Sequence, residues 1–512
     1  MIFRANTARP PRKRLQEISI PPLLNEATVR QASLCFQEPS VTQSAVPDRM
    51  GHALVIGGSV AGLCAARVLS DFFEQVTVLE RDAYPKDDAD RPGVPHGRQF
   101  HWLLKRGLIE LEDLFPGFQE LMKSRGASPL KMGLNFAVLN PNGWIPPLAE
   151  FARMGLQASR ALIDSSIRDL CAKVPNVTIR QRARVIGLSI RTARPMRCDG
   201  AFTSDGACMH ADLVVDATGV SSKAHEWLMA IGVQPPNETV VDAFVGYAGV
   251  WMRVRDGAKW PKDWWWTGGA MIAVLPPADT QNILLTKHEN DRWLLSISGQ
   301  SHNYPPQDFE GLRAVAISAR SPVVSRMLGL MEPVSPVRGY RPAGNRWRHY
   351  ERWRNPLANF IAVGDAFCSY NPTNGLGLSA AAVTAQVLKG RLRHFGPAAP
   401  SLANAFHREQ AHIQRGLWQI AVGNDFRFPA THGRRTLGIS LMTLYRDLAL
   451  RSRDPVVQEH VQSVLDMTMP LSALWAPSCL WRILRSESNL LLRKRSIRPS
   501  AEMPPPMPAM SS

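Results

Sequence analysis

The chain has 512 residues, 45% of them apolar and 20% charged, with a formal net charge of +17. That length allows two or three domains, and the lack of any continuous apolar run of about 18 residues excludes a transmembrane helix. No helix-turn-helix or zinc-finger spacing accompanies the charge, so it reads as an arginine-rich solvated surface, attractive to anionic lipid, and nucleic acid is set aside as a partner.

Residues 1–49 precede any periodic pattern. "RANTARPPRKRLQ" is basic and proline-containing and lacks the apolar core of a secretory signal; Glu17, Glu26 and Glu38 argue against a mitochondrial address. This segment reads as a dispensable disordered extension, with Met50 as a candidate start. The seven cysteines (Cys35, Cys64, Cys171, Cys198, Cys208, Cys368 and Cys479) are scattered and form no C-x-x-C pair. That argues against disulfides and zinc and predicts a cytoplasmic protein.

From Gly51 strand and helix alternate. "ALVIG" predicts a strand, "AGLCAARVLSDFF" a helix with a small-residue face, and "QVTVLE" a second strand. This is a βαβ unit, the signature of a parallel sheet. "HGRQFHWLLKRGLIELEDLF" predicts an amphipathic helix, "SRALIDSSIRDLCAKV" another, and "ADLVVDATG" a buried strand ending in a tight turn. Between about Val240 and Tyr340, strands follow one another without long helices, which predicts a mostly antiparallel sheet inserted in the first domain. Strand and turn return at "NFIAVGDAF", followed by helices near Leu378–Arg393 and Ser401–Val422 and a helix-rich last hundred residues.

Gly57, Ser59 and Gly62 occupy the three positions of G-x-G-x-x-G, with Gly58 and Ala61 between them. The first position makes the tight turn, the second lets phosphate approach the backbone, and the third packs helix on strand. Serine at the second position is small, and its hydroxyl can bond a phosphate. The helix amides point at the same spot. Glu80, 23 residues beyond Gly57, ends the second strand, where a carboxylate can accept ribose hydroxyls. Farther on, "FIAVGDAFCSYNPTNGLGLSAA" makes a second strand-turn-helix, with Gly364 and Asp365 at the strand end and Pro372, Gly375 and Gly377 leading into the helix. Two separated anion-binding turns in one chain point to a long dinucleotide such as FAD.

Taken together, "VIGGSVAGL" with Glu80, "RPGVPHGRQFH", "DATG", "GDAFCSYNPTNGLG" and "WQIAVGNDFRFP" resemble the FAD-dependent monooxygenases. These are the single-component flavoprotein hydroxylases and epoxidases related to squalene and polyether epoxidases. The resemblance runs from about Met50 to Arg485. It implies an α/β chain: a Rossmann-like FAD-binding domain (50–239 and 346–425), an inserted, mostly antiparallel β-sheet substrate domain (240–345), a helical C-terminal region (426–490) and a disordered tail (491–512). By the same resemblance Glu80 and its neighbour Arg81 would meet the adenosine end. Arg98 and Arg160 would lie near the cofactor, Asp365 would bond the ribityl chain, and the amides near Gly375 and Gly377 would face the flavin pyrimidine edge. The family's "NPxxGQGM" reads "NPTNGLGL" here, with Leu376 and Leu378 replacing a glutamine and a methionine.

The activity so implied is hydroxylation or epoxidation of an apolar or aromatic small molecule through a flavin C4a-hydroperoxide. NAD(P)H would dock transiently as reductant, or a partner reductase would supply the electrons. A non-oxygenating relative, such as a polyprenyl reductase or dehydrogenase, stays open, as does a binding role without flavin. A halogenase fits less well, because "WWWTGG" lacks the Ile-Pro end of W-x-W-x-I-P. Trp264 and Trp266 share one face of a strand and are candidates for an apolar substrate pocket or for ordinary core. His96, His101 and His349 read as structural, and no metal motif occurs. The segment from Leu474 to Arg498 alternates apolar and basic residues, which suits either packing on the flavin domain or a peripheral membrane contact.

Overall fold

The computed structural model describes residues 49–85, 91–146, 154–192, 196–342, 344–354, 356–452, 454–492 and 503–507. The extension expected over 1–49 thus lies, up to residue 48, outside the described residues.

The apolar runs "ALVI", "VTVL" and "LVVD" are buried along their whole length, as central strands of a parallel sheet must be. Five strands pair in parallel, in the order Phe360–Ala362, Leu213–Asp216, Met50–Ile56, Phe73–Leu79, Val177–Arg180. The chain enters at the middle, runs to one edge and then returns to the other side. Strand order therefore reverses beside Met50–Ile56, and a crevice opens there beyond the carboxyl ends of the strands. Gly57 and Ala217 follow the two strands that meet there. The helices Val60–Leu69 and Gly377–Phe395 pack on each other over one face of this sheet, burying Leu63, Ala66, Ala381 and Ala385 in one cluster.

A second sheet follows the order Met331–Pro333, Gly246–Val254, Trp293–Gly299, Gln281–Lys287, Gly269–Ile272, Phe136–Asn140, Gly143–Trp144, with Arg338–Tyr340 also paired to Gly246–Val254. Its strands from Gly246 to Gly299 pair antiparallel, and the sheet also recruits Phe136–Asn140 from the first segment, paired in parallel with Gly269–Ile272. Alternation assigns its faces. Ala248, Val250 and Met252 point to a core closed by the helices Phe309–Ile317 and Val323–Leu328. Gly249 points the other way, and a Cβ there would meet the Arg98 carbonyl at 3.1 Å.

The amphipathic helix expected from His96 begins only at Lys105. Pro95–Arg98 is a single 3-10 turn, and Gln99–Leu104 is extended. Tertiary bonds overrule helical periodicity there. Gln99 Nε2 donates to the Arg338 carbonyl at 2.9 Å, and the Ser296 hydroxyl donates to Gln99 Oε1 at 3.1 Å. The C-terminal region is helical as expected, with helices Leu402–Asp425, Leu437–Arg451, Pro455–Leu465 and Pro477–Leu492. Pro477 occupies a first-turn position, where its missing N–H costs nothing. The tail expected to be disordered from 491 departs from that reading in its described part. Met503 packs against the tryptophan cluster of the second sheet, and the Trp265 indole donates to the Pro505 carbonyl at 2.9 Å.

Candidate active site

Gly57 follows the first strand at φ +106°, a conformation that favours glycine, and a Cβ there would lie 2.5 Å from the Ala217 carbonyl oxygen. Ser59 is the helix N-cap, at φ −95° and ψ −173°. This is ordinary extended backbone, which explains why a serine fits the middle position. At Gly62 a Cβ would lie 1.8 Å from the Gly57 carbonyl oxygen, so turn and helix touch backbone to backbone. A cradle built this closely suits a pyrophosphate at the helix N-terminus.

Glu80 is buried beneath the turn. Its Oε2 accepts the Gly58 amide at 2.8 Å and its Oε1 accepts the Asp82 amide at 2.9 Å. Oε1 keeps a second lone pair for a ribose hydroxyl. Three further residues complete this end. Buried Arg91 pairs with Glu80 at 3.1 Å and with Asp164 at 3.9 Å, and its guanidinium lies over the Tyr84 ring. The Tyr84 hydroxyl donates to the Gly58 carbonyl at 2.7 Å. Gly58, Tyr84, Arg91, Arg160 and Asp164 line one cleft. Arg81 is exposed, with its guanidinium beside Gly93.

Arg160 opens the helix Arg160–Cys171 and is buried. It donates through Nε to Asp164 at 2.7 Å and through Nη2 to the Ser59 hydroxyl at 3.0 Å. Its Nη1 lies 3.4 Å from His96 Nε2. Burial, then the Arg160 charge, pushes His96 down to about 3, so the ring is neutral and accepts from Arg160. His101 lies beside it, tilted by 44° with centroids 5.5 Å apart, and is likewise held well below the usual range by burial. Arg98 ends the 3-10 turn that carries His96.

The second turn lies against the first. Gly364 takes φ +58°, and a Cβ there would sit 2.6 Å from that of Ala61. Asp365 follows on the 3-10 turn Gly364–Ala366, and its carboxylate faces Gly377, where a Cβ would lie 3.8 Å from Oδ1. Burial raises Asp365 to about 6, opposed by the charges of Arg160 and Arg348. Pro372–Asn374 forms another 3-10 turn, closed by Gly375 at φ +64°, where a Cβ would strike Trp102 at 2.6 Å. The helix Gly377–Phe395 therefore aims its free amides at the space beside Asp365 and Trp102. Leu376 and Leu378 are both buried in the apolar core.

Several supporting residues escaped the sequence reading. Arg348 donates through Nη1 to the carbonyls of Asp365 and Ala366, both at 3.1 Å, and through Nη2 to that of Val220 at 3.0 Å. It thus ties the "DATG" turn to the "GDA" turn, with Glu238 as its counter-ion at 3.0 Å. Asp425 holds the "NPTNG" turn, accepting from Asn371 at 2.8 Å and from Asn345 at 2.6 Å. Neighbouring Asn424 donates to Asn374 at 2.6 Å. The "VGND" stretch thus braces the "NPTNG" turn.

Trp264 and Trp266 are not brought to this site, which corrects their candidacy as substrate residues. They stack on each other at 5.4 Å on the helix-covered face of the second sheet, in the cluster of Val250 and Met252. The opposite face meets the site instead. Trp102 packs there with Phe100, Phe136 and Met271, and Tyr247 and Tyr340 lie alongside. Tyr340 is 5.7 Å from His96, ring to ring.

Two glycine turns, an acidic strand end and a second helix N-terminus now converge at one sheet reversal. The chain has the flavin-dependent monooxygenase fold. It is similar to the flavin-dependent brominase Bmp2 (TM-score 0.57, 15% identity, 87% of this chain and 100% of that one). It is similar to PqsL in complex with 2-aminobenzoylacetate (TM-score 0.56, 14% identity, 73% and 96%); PqsL is described as a probable FAD-dependent monooxygenase from Pseudomonas aeruginosa. A third similar structure is 2-methyl-3-hydroxypyridine-5-carboxylic acid oxygenase (TM-score 0.53, 16% identity, 73% and 90%). In sequence the chain is 29% identical over 392 residues to Protein Rv3254 of Mycobacterium tuberculosis, covering 74% of this chain and 80% of that protein. No protein-family model matches.

Proposed function

We propose that the protein is an FAD-dependent monooxygenase that hydroxylates or epoxidises an apolar or aromatic small molecule with electrons from NAD(P)H. The observation that carries this reading is the meeting of the two turns: a Cβ at Gly364 of the second would lie 2.6 Å from that of Ala61 in the first, and beside them the buried Arg160 bonds Ser59. A single dinucleotide running from Glu80 past Ser59 and Arg160 to Asp365 accounts for both turns and for the buried guanidinium between them.

Bound there, FAD would supply the redox and oxygen chemistry. This chain's residues would do the rest. Glu80, Tyr84 and Arg91 would hold the adenosine end. Gly57, Gly58, Ala61 and Gly62 would leave room for the pyrophosphate, and Asp365 would accept from the ribityl hydroxyls. The amides after Gly375 would favour negative charge at the flavin's pyrimidine edge. Phe100, Trp102, Phe136 and Met271 would present an apolar wall to substrate and exclude water. This wall supports an apolar or aromatic substrate. Neutral His96 and His101 beside Tyr340 add hydrogen-bonding groups without charge.

The deciding experiment is a visible spectrum of the purified protein, then anaerobic addition of NADPH or NADH and, separately, oxygen uptake. Flavin bands that bleach with a nicotinamide, and oxygen consumption on re-aeration, are expected. Bleaching without oxygen uptake would move the reading to a dehydrogenase or reductase. Bands that only dithionite bleaches would assign the electrons to a partner reductase. Protein without flavin would overturn it.

A further inference from the structure

The helices Leu437–Arg451 and Pro477–Leu492 pack together with Leu471–Trp475 around a core of Tyr445, Ala449, Leu474, Cys479 and Ile483. The apolar-basic segment from Leu474 is therefore split: Leu474, Cys479 and Ile483 are consumed by this core. What remains outside is unusual. Leu437, Leu441 and Leu444, at i, i+4 and i+7 of one helix face, are 84%, 63% and 60% exposed. Trp475, stacked on Tyr445 at 4.1 Å, is 42% exposed, and Trp481 is 59% exposed. Of all tryptophans in the described residues, only these two are exposed.

Arginine dominates the exposed charge around them. Between residues 426 and 485, the exposed charged side chains among the described residues are Arg434, Arg435, Arg451 and Arg485, and no exposed carboxylate accompanies them. Arg434 and Arg435 precede the helix Leu437–Arg451, where the helix dipole disfavours cations. Arg485 lies over the Trp481 ring at 5.2 Å. Packing within the chain accounts for part of this, Arg435 Nε donating to Ser440 Oγ at 2.9 Å and Trp475 lying on Tyr445, and it leaves the three leucines and Trp481 facing water.

We infer that this face docks on an anionic lipid surface, with the leucines and tryptophans entering the headgroup boundary and the arginines meeting lipid phosphates. Tryptophan and arginine suit that boundary, where one end of a side chain is apolar and the other wet. No described helix is long and apolar enough to cross a membrane, so the contact is peripheral. It is independent of the flavin reading, although an oxygenase of apolar molecules would meet its substrate there.

The test is co-sedimentation of the full chain, as purified, with vesicles of phosphatidylcholine alone or mixed with phosphatidylglycerol. Binding to the anionic vesicles at low salt is expected, weaker on the neutral ones and weakened by added salt. The double variant Leu441→Glu, Trp481→Glu should lower the partition coefficient about tenfold or more, while its flavin content and melting temperature stay those of the parent. No sedimentation with anionic vesicles, or equal binding by the variant, overturns the inference. So does a concentration-dependent dimer in analytical ultracentrifugation that the same substitutions abolish, since the face would then belong to a second copy of the chain.

Discussion

The Arg160 guanidinium donates to the Ser59 hydroxyl at 3.0 Å, joining a helix that starts a hundred residues later to the turn after the first strand. Around this bond the rest of the site is organised, and it sets what each neighbouring substitution should do.

Gly62→Ala places a Cβ on the Gly57 carbonyl oxygen. That oxygen belongs to a turn fixed between two sheet strands and cannot retreat. The variant should purify with little or no flavin absorbance. Flavin-to-protein ratio is the readout, and circular dichroism keeps loss of binding separate from loss of fold. A full complement of flavin would remove the first turn from the site.

Asp365→Ala deletes the carboxylate facing Gly377 and the proposed ribityl contact. A charge-assisted hydrogen bond contributes roughly 1.5–3 kcal/mol, so flavin affinity should fall about tenfold or more. Titration of apoprotein with FAD measures it directly.

Two buried carboxylates predict a pH dependence. Burial raises Asp365 to about 6 and Asp425 to about 7. Each therefore holds its proton in the fold after the unfolded chain has released it. Through roughly pH 4 to 7 the native state binds more protons than the unfolded one, so apoprotein stability should fall as pH rises across that window. The slope is at most about 1.4 kcal/mol per pH unit for each group. Asp425→Asn should flatten it in urea titrations. A stability that rises from pH 5 to 7, with the variant unchanged, would count against both assignments.

How much of this was legible in the sequence follows contact range. The turn at Gly57, the helix packing at Gly62 and the strand end at Glu80 are legible because all three lie within one βαβ unit. Arg348 was invisible: its three carbonyl partners lie 17, 18 and 128 residues away, and nothing in "NRWRHY" marks it. Phe136–Asn140 joined a sheet more than a hundred residues downstream for the same reason. Trp264 and Trp266 did share a face, as alternation required, but alternation cannot say which face meets the ligand.

Arg348→Ala should loosen both turns at once. Glu238 keeps Arg346 and His225 as partners, so its charge stays compensated. The loss is then mainly three carbonyl bonds, each about 1–1.5 kcal/mol net. A drop of about 3–4 kcal/mol in urea unfolding is expected, with weaker flavin retention. Trp266→Ala should cost a similar amount by leaving a core cavity, yet keep its flavin, because that ring lies on the far face of the second sheet.

The sharpest contrast lies within the first turn, between the glycine that is kept and the one that is replaced. Ser59 sits at φ −95°, where any side chain is allowed, whereas Gly57 sits at φ +106° with a carbonyl oxygen 2.5 Å from where its Cβ would be. Ser59→Gly restores the common motif. It removes the hydroxyl from Arg160, which keeps Asp164 and His96, and it should change flavin affinity by no more than about tenfold, the value of one hydrogen bond of about 1 kcal/mol plus a few tenths for the glycine cap. Gly57→Ser makes the reverse exchange two residues earlier. It meets both the strained backbone and the Ala217 carbonyl, and it should abolish flavin retention. Measuring both dissociation constants side by side tests the geometry of the turn rather than its composition. Equal losses in the two variants would mean that backbone conformation is not what assigns serine to one position and glycine to the other.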